Sequence, residues 1–182
     1  MYDYVIIHGS YGNPFENWFP WLFDELSKRD KNVLAPQFPC GAGIQNYENW
    51  KHVMESYVKF IGKDTTFIGH SLSPAFIVDF ILEKKLHVKN LVFAAPFYGK
   101  INIPDFDEVN VPFFIRNDLD RVKEYVDSAT CFISQNDPYV PNQLSVDFAE
   151  KIGAKKILVK DAGHFNTSAG YSHFEQLLKE LI

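Results

Sequence analysis

Six short apolar runs constrain this chain more than any other feature: Tyr4 to His8, Asn32 to Ala35, Thr65 to Gly69, Asn90 to Ala94, Thr130 to Ser134 and Lys156 to Lys160. They are continuous rather than alternating, the pattern of strands covered on both faces in a parallel sheet. The stretches between them read as helices: Trp18 to Lys28, Tyr47 to Ile61, Pro74 to Leu86, Leu119 to Val126, Asn142 to Ile152 and Ser172 to Leu181. In the second of these, Trp50, Val53, Met54, Tyr57, Val58 and Ile61 fall on one helical face. Strand and helix alternate from end to end, which predicts an α/β fold: a doubly wound three-layer α/β/α sandwich around a six-stranded parallel sheet. At 182 residues and 46% hydrophobic, the chain can bury one full core, and a single domain over 1–182 is expected.

Phe97 to Asp118 is the stretch that breaks the pattern. It holds Pro104 and Pro112 and shows little periodicity. It reads as an excursion above the sheet, with a cap over a site and an ordinary long loop both open.

In open parallel sheets, ligands bind beyond the carboxyl ends of the strands. Three segments that follow strands carry chemistry-bearing residues. The first is Gly69-His70-Ser71-Leu72-Ser73-Pro74, in the strand-turn-helix context of a Gly-x-Ser-x-Gly nucleophile elbow. The turn around such a serine is crowded, so its neighbours two residues away must be small. Gly69 satisfies this, and Ser73 takes the place of the second glycine. Pro74 suits a first helical turn, where its missing N–H costs nothing. A serine that merely caps a helix would look similar. Ser10, in His8-Gly9-Ser10, also ends a strand, but His8 is too bulky for that elbow position. His8-Gly9-Ser10 reads instead as the turn that supplies an oxyanion-hole N–H, from Ser10 or from Tyr11, with the N–H of Leu72 as its partner.

The second segment is Ser134-Gln135-Asn136-Asp137-Pro138, and the third is Asp161-Ala162-Gly163-His164-Phe165-Asn166. An Asp before a proline is often only a turn residue. What raises Asp137 is its place after the strand preceding the His164 strand. The chain order Ser, Asp, His is that of α/β-hydrolases, with Ser71 as nucleophile, Asp137 as orienting acid and His164 as base. Asp161, on the histidine's own loop, is the rival acid and is expected to bond local backbone N–H groups. Among the aromatic residues, 16% of the chain, Trp18, Trp21, Phe97, Tyr98 and Tyr139 lie near this sheet edge, and Tyr11 follows the oxyanion turn. These are candidates for an apolar substrate wall, whereas Phe19 reads as core.

These motifs, with Ile6-Ile7-His8-Gly9-Ser10 and Pro138-Tyr139-Val140-Pro141, resemble the small serine hydrolases related to retinoblastoma-binding protein nine and their bacterial relatives. The resemblance spans nearly the whole chain. It implies a trimmed α/β-hydrolase with parallel strand order 2-1-3-4-5-6, the same three catalytic positions, and no cofactor or metal. Ser73 departs from the usual second elbow glycine. Neither Cys40 nor Cys131 lies in the Leu-x-Cys-x-Glu peptide that retinoblastoma-type binding would need, so no specific protein partner is implied.

The expected activity is hydrolysis of a small carboxylic ester, or a related thioester or amide, through an acyl-enzyme. A hydrolase-fold interaction protein with little turnover is the alternative. A flavodoxin-like nucleotide binder is weakened because His8 to Asn17 lacks a Gly-x-Gly-x-x-Gly or P-loop pattern. A net charge of −5, from 18 Lys and Arg against 23 Asp and Glu, argues against a nucleic-acid partner. The expected partner is a small-molecule acyl substrate. Two cysteines form no disulfide or metal framework, a strand by Tyr4 leaves no room for a signal peptide, and no apolar run approaches the ~20 residues of a bilayer span. A cytoplasmic, membrane-free location is therefore expected.

Overall fold

The computed structural model describes residues 1–182. Six strands form one parallel sheet: β1 (Tyr4–Ile7), β2 (Val33–Leu34), β3 (Thr66–His70), β4 (Val88–Ala94), β5 (Val126–Ser134) and β6 (Lys155–Val159), in the order β2-β1-β3-β4-β5-β6. Six α-helices join them: α1 (Phe19–Ser27), α2 (Tyr47–Glu55), α3 (Ser73–Lys84), α4 (Pro104–Asn110), α5 (Asn142–Lys151) and α6 (Glu175–Lys179). This is the expected α/β architecture with the expected strand order.

The continuous apolar runs of β1, β3, β4 and β5 follow from two covered faces, whereas the edge strand β6 is exposed or half-buried throughout. Val5 and Ile7 of β1 point into one core with Trp50 and Met54 of α2, Phe76 and Phe80 of α3 and Phe148 of α5. Tyr4 and Ile6 point into the other core, with Leu22 and Leu26 of α1 and Leu177 of α6. Successive strand residues thus serve opposite layers. α3 is buried nearly all round, which accounts for its apolar sequence.

Three elements differ from expectation. Tyr47 to Ile61 is helical only to Glu55, then continues as a 3₁₀ turn over Val58–Phe60. Leu119 to Val126 is a 3₁₀ segment, Leu119–Glu124, and β5 begins at Val126. The polar start of β5 hid its pairing, in which Ser128 sits opposite Asn90 and its hydroxyl donates to the Asn90 side chain at 2.7 Å. The last helix is shorter than expected, Glu175–Lys179, because Phe174 before it lies outside the helical region at φ −142° and ψ 69°.

Register places the strand ends together: Ile7 opposite Gly69, His70 opposite Ala94, Ala94 opposite Phe132, and Ser134 opposite Val159. The loops after β1, β3, β4, β5 and β6 therefore open on one edge. The first two flank the point where the strand order reverses, the usual ligand crevice of such sheets.

The excursion after β4 folds over this edge as α4 and a 3₁₀ turn, Val111–Phe113. A buried polar contact ties it to α3. Asp79 is fully buried, its Oδ2 accepts from the Tyr98 hydroxyl at 3.4 Å, and its Oδ1 has no partner. The Tyr98 oxygen in turn accepts from the backbone N–H of Arg116 at 2.7 Å. Burial pushes the Asp79 carboxyl up to about 8, opposed by the charge of Arg116. The folded state therefore holds a proton that an unfolded Asp releases near its usual value of about 4. Native protein binds the extra proton between those two values, so stability falls as pH rises through that window. Asp79→Asn should flatten this slope and stabilise the fold at mildly alkaline pH by on the order of a few kcal/mol. Melting temperatures from acidic to alkaline pH for both proteins check it; parallel curves would refute the assignment.

Candidate active site

Ser71 occupies the turn between β3 and α3 with φ 61°, a left-handed conformation that is uncommon for a residue with a side chain. The surrounding sequence explains how the turn is held. A Cβ on Gly69 would lie 2.9 Å from Ile77 Cδ1 and 3.0 Å from Ser73 Oγ, so only glycine fits without movement. Ser73 does more than stay small. Its buried hydroxyl donates to the Ile7 carbonyl at 2.8 Å and accepts from the His70 N–H at 2.8 Å, pinning the elbow to β1. The departure from glycine therefore leaves the elbow sharp.

The three sequence-identified side chains meet. His164 Nε2 lies 3.0 Å from Ser71 Oγ, and His164 Nδ1 lies 2.7 Å from Asp137 Oδ2. The other Asp137 oxygen accepts from the backbone N–H groups of Tyr139 at 2.9 Å and Val140 at 3.0 Å. A hydroxyl, an imidazole and a carboxylate in one hydrogen-bonded chain allow the imidazole to take the hydroxyl proton while the carboxylate fixes its tautomer. Asp161 is exposed, adopts φ 55° and makes no hydrogen bond, so the expected local backbone bonding does not form. No hydrogen bond or ion pair joins it to His164, whose carboxylate partner is Asp137.

Two further histidines brace this chain. His70 is buried, and its Nε2–H donates to the His164 carbonyl at 2.7 Å. Burial, then the neighbouring His164, pushes its pKa down to about 3, so it stays neutral. His8 is also buried; its Nδ1–H donates to the Gly9 carbonyl at 2.9 Å while its Nε2 accepts from the Phe38 N–H at 3.1 Å. Burial lowers its pKa and keeps the ring neutral. It thereby sets the course of Gly9-Ser10.

The Tyr11 N–H donates to Gln45 Oε1 at 3.0 Å, which leaves Ser10 as the oxyanion-turn candidate. The N–H groups of Ser10 and Leu72 donate to no protein acceptor. A cleft of about 210 Å³ opens here, with Ser71, His164 and Ser10 in its wall. Phe97 and Tyr139 line it as expected, and the Tyr139 ring meets His164 edge-on at 5.2 Å.

The other expected wall residues do not line it. Trp18 is fully buried, with its indole N–H donating to the Phe165 carbonyl at 3.0 Å, so it supports the histidine loop from behind. Tyr98 turns toward Asp79. Tyr11 lies outside the cleft, where its hydroxyl donates to the Asp105 carbonyl of α4 at 2.9 Å. Sequence reasoning missed Glu16, Asn17, Ile101, Phe106, Asn110, Val140 and Asn166, which also line the cleft. The two prolines in 97–118 were the one signal pointing to the α4 residues.

No group of three or more His, Cys, Asp or Glu residues is arranged to hold a metal ion. Cys40 and Cys131 are both free, and no helix is long and apolar enough to cross a membrane.

Gly9 passes directly over the elbow: a Cβ there would lie 2.9 Å from Ser71 Cβ and 3.1 Å from the His70 carbonyl. Gly9→Ala should displace Ser71 and lower its reactivity toward a fluorophosphonate about a hundredfold, the scale expected of ångström-level misplacement. Labelling rates beside melting curves check it; a folded variant that labels at the wild-type rate would show that this close approach does not control the serine.

Known proteins resemble this chain in sequence and in fold. The chain is 25% identical over 172 residues to YdeN of Bacillus subtilis (strain 168), provisionally named a hydrolase, across 92% of this chain and 87% of that protein. The crystal structure of the B. subtilis ydeN product superposes with TM-score 0.86 at 22% identity, covering 100% of this chain and 98% of that one. A YdeN-like protein from Pectobacterium atrosepticum gives TM-score 0.69 at 18% identity over 98% and 87% of the two chains. An extracellular α/β-hydrolase from a Paenibacillus species gives 0.70 at 14% identity, covering 98% of each chain. These structures share the α/β-hydrolase fold with this chain. Over residues 4–182 the sequence matches the family described as serine hydrolases, and the chain belongs to that family.

Proposed function

We propose that this protein hydrolyses a small carboxylic ester, or a related thioester or amide, by two-step acyl transfer. The hydrogen-bonded chain from Ser71 through His164 to Asp137, built on a left-handed elbow at the carboxyl edge, carries this reading. His164 takes the Ser71 proton as Oγ attacks the carbonyl carbon, and the carbonyl electrons move onto oxygen. The N–H groups of Ser10 and Leu72 receive that oxyanion; one such donor is worth roughly 2.7–4 kcal/mol of barrier in comparable enzymes. Collapse expels the alcohol, protonated by His164, and leaves an acyl-enzyme that water cleaves by the same steps in reverse roles. Asp137 holds the His164 tautomer throughout.

A cleft of about 210 Å³ suits a short acyl group; it is smaller than the roughly 300–1,000 Å³ of drug-sized ligand sites. The apolar side chains of Phe97, Ile101, Phe106, Tyr139 and Val140 form its apolar wall. A cytoplasmic site of action belongs to the same reading, on the two unpaired thiols.

Ser71→Ala should abolish both esterase activity and fluorophosphonate labelling with the fold intact. Asp137→Asn should leave the wrong tautomer and lower turnover of a p-nitrophenyl ester by about 10⁴, whereas Asp161→Asn should change turnover little. Turnover and melting temperature of the three variants, on p-nitrophenyl esters of rising acyl length, provide the measurement. A Ser71→Ala protein that still labels would reassign the nucleophile. Inactivity of Asp161→Asn beside near-normal Asp137→Asn would reassign the acid.

A further inference from the structure

Asn110 ends α4, in the excursion whose role the sequence leaves open, and it is only 1% exposed. Its Oδ1 accepts from the Ser10 hydroxyl, so the amide has a fixed orientation. Its Nδ2 donates to no protein group. The sealed, unpartnered polar side-chain atoms of this protein are Gln45 Nε2 and Asp79 Oδ1, and Asn110 Nδ2 is not among them. The little surface Asn110 keeps therefore belongs to the cleft, which it lines beside Ser10 and Ser71. An amide with its oxygen clamped and its free donor opening on the cleft that Ser71 lines is available to whatever acceptor fills that cleft.

We infer that Asn110 donates a hydrogen bond from Nδ2 to an oxygen of the substrate's reacting carboxyl group, alongside the backbone donors. This rests on the hydrolase reading above and adds a side chain to it. The clamp also couples the two halves of the site. Ser10 presents its N–H from the loop after β1, and its hydroxyl is held by α4. α4 is held to the same loop by the Tyr11 hydroxyl on the Asp105 carbonyl at 2.9 Å and by the Tyr11 ring against Phe106, with centroids 5.7 Å apart. The excursion thus closes the cleft and contributes to its chemistry.

Two variants separate donation from bracing. Asn110→Ala removes both the clamp and the donor. Asn110→Asp keeps an acceptor for the Ser10 hydroxyl but replaces the N–H with a carboxylate oxygen that repels a developing oxyanion. Fluorophosphonate inactivation of Ser71 places phosphoryl oxygens where the ester oxygens would lie, so its second-order rate reads the interaction without a known substrate. At mildly alkaline pH, Asn110→Ala should label about tenfold more slowly than wild type and Asn110→Asp about a hundredfold more slowly. On a p-nitrophenyl ester the loss should fall on kcat more than on KM. If Asn110→Asp labels like wild type while Asn110→Ala is slow, the residue only braces Ser10 and the inference is overturned. Wild-type rates in Asn110→Ala overturn it as well. Should Asn110→Ala fail to fold, the near-isosteric Asn110→Asp decides alone. A wild-type protein that takes no label overturns the hydrolase reading and this inference together, whereas normal wild-type labelling with unaffected variants removes this inference only.

Discussion

A serine held at φ 61° costs on the order of 1–3 kcal/mol of backbone strain, and the site depends on the contacts that keep Ser71 there. The strain is imposed from three sides. Ser73 fastens the elbow to the last carbonyl of β1, the apolar packing of α3 fixes the helix that leaves it, and Gly9 presses from above. Because β1 and β3 are adjacent parallel strands, the elbow and the oxyanion turn emerge side by side. One steric constraint therefore positions the proposed nucleophile and aligns it with the N–H groups proposed to stabilise its product.

Around this constraint, charge is kept out. His8 and His70 each spend a buried N–H on a backbone carbonyl, and burial keeps both neutral. A charged His70, whose ring centroid lies 4.8 Å from that of His164, would oppose the proton uptake proposed for that ring. The two neutral rings shape backbone without competing for the proton. Asp137, whose oxygens accept two backbone N–H bonds and one imidazole N–H, is the satisfied carboxylate on which a transient positive charge at His164 can rest.

The excursion over the cleft is attached by different physics. Its inner end rests on Asp79, a carboxyl with one oxygen unpartnered in the core, which is a destabilising arrangement whenever the group ionises. Its outer end grips the oxyanion turn through Asn110 and Tyr11. Stability is thus given up at the α3 end of a segment that completes the cleft at the other, a distribution common where function shapes a fold.

How much of this was legible in the sequence follows from the range of the interactions involved. Continuous apolar runs report burial on both faces, so the sheet and its layers could be read, apart from the polar start of β5. Ser71, Asp137 and His164 could be read because each lies in the loop after a strand, and a parallel sheet collects those loops on one edge. The cleft wall could not. Trp18 and Tyr98 are as aromatic as Phe97 and Tyr139, and composition cannot say which ring faces a void and which turns to a carbonyl of the histidine loop or to Asp79. Nor could the clamp between Ser10 and Asn110, whose partners lie 100 residues apart in a stretch without periodicity. Local pattern determined the strands, the elbow and the order of the chemical groups. Only tertiary packing decided what encloses them, because the direction of a side chain depends on neighbours that its own segment does not contain.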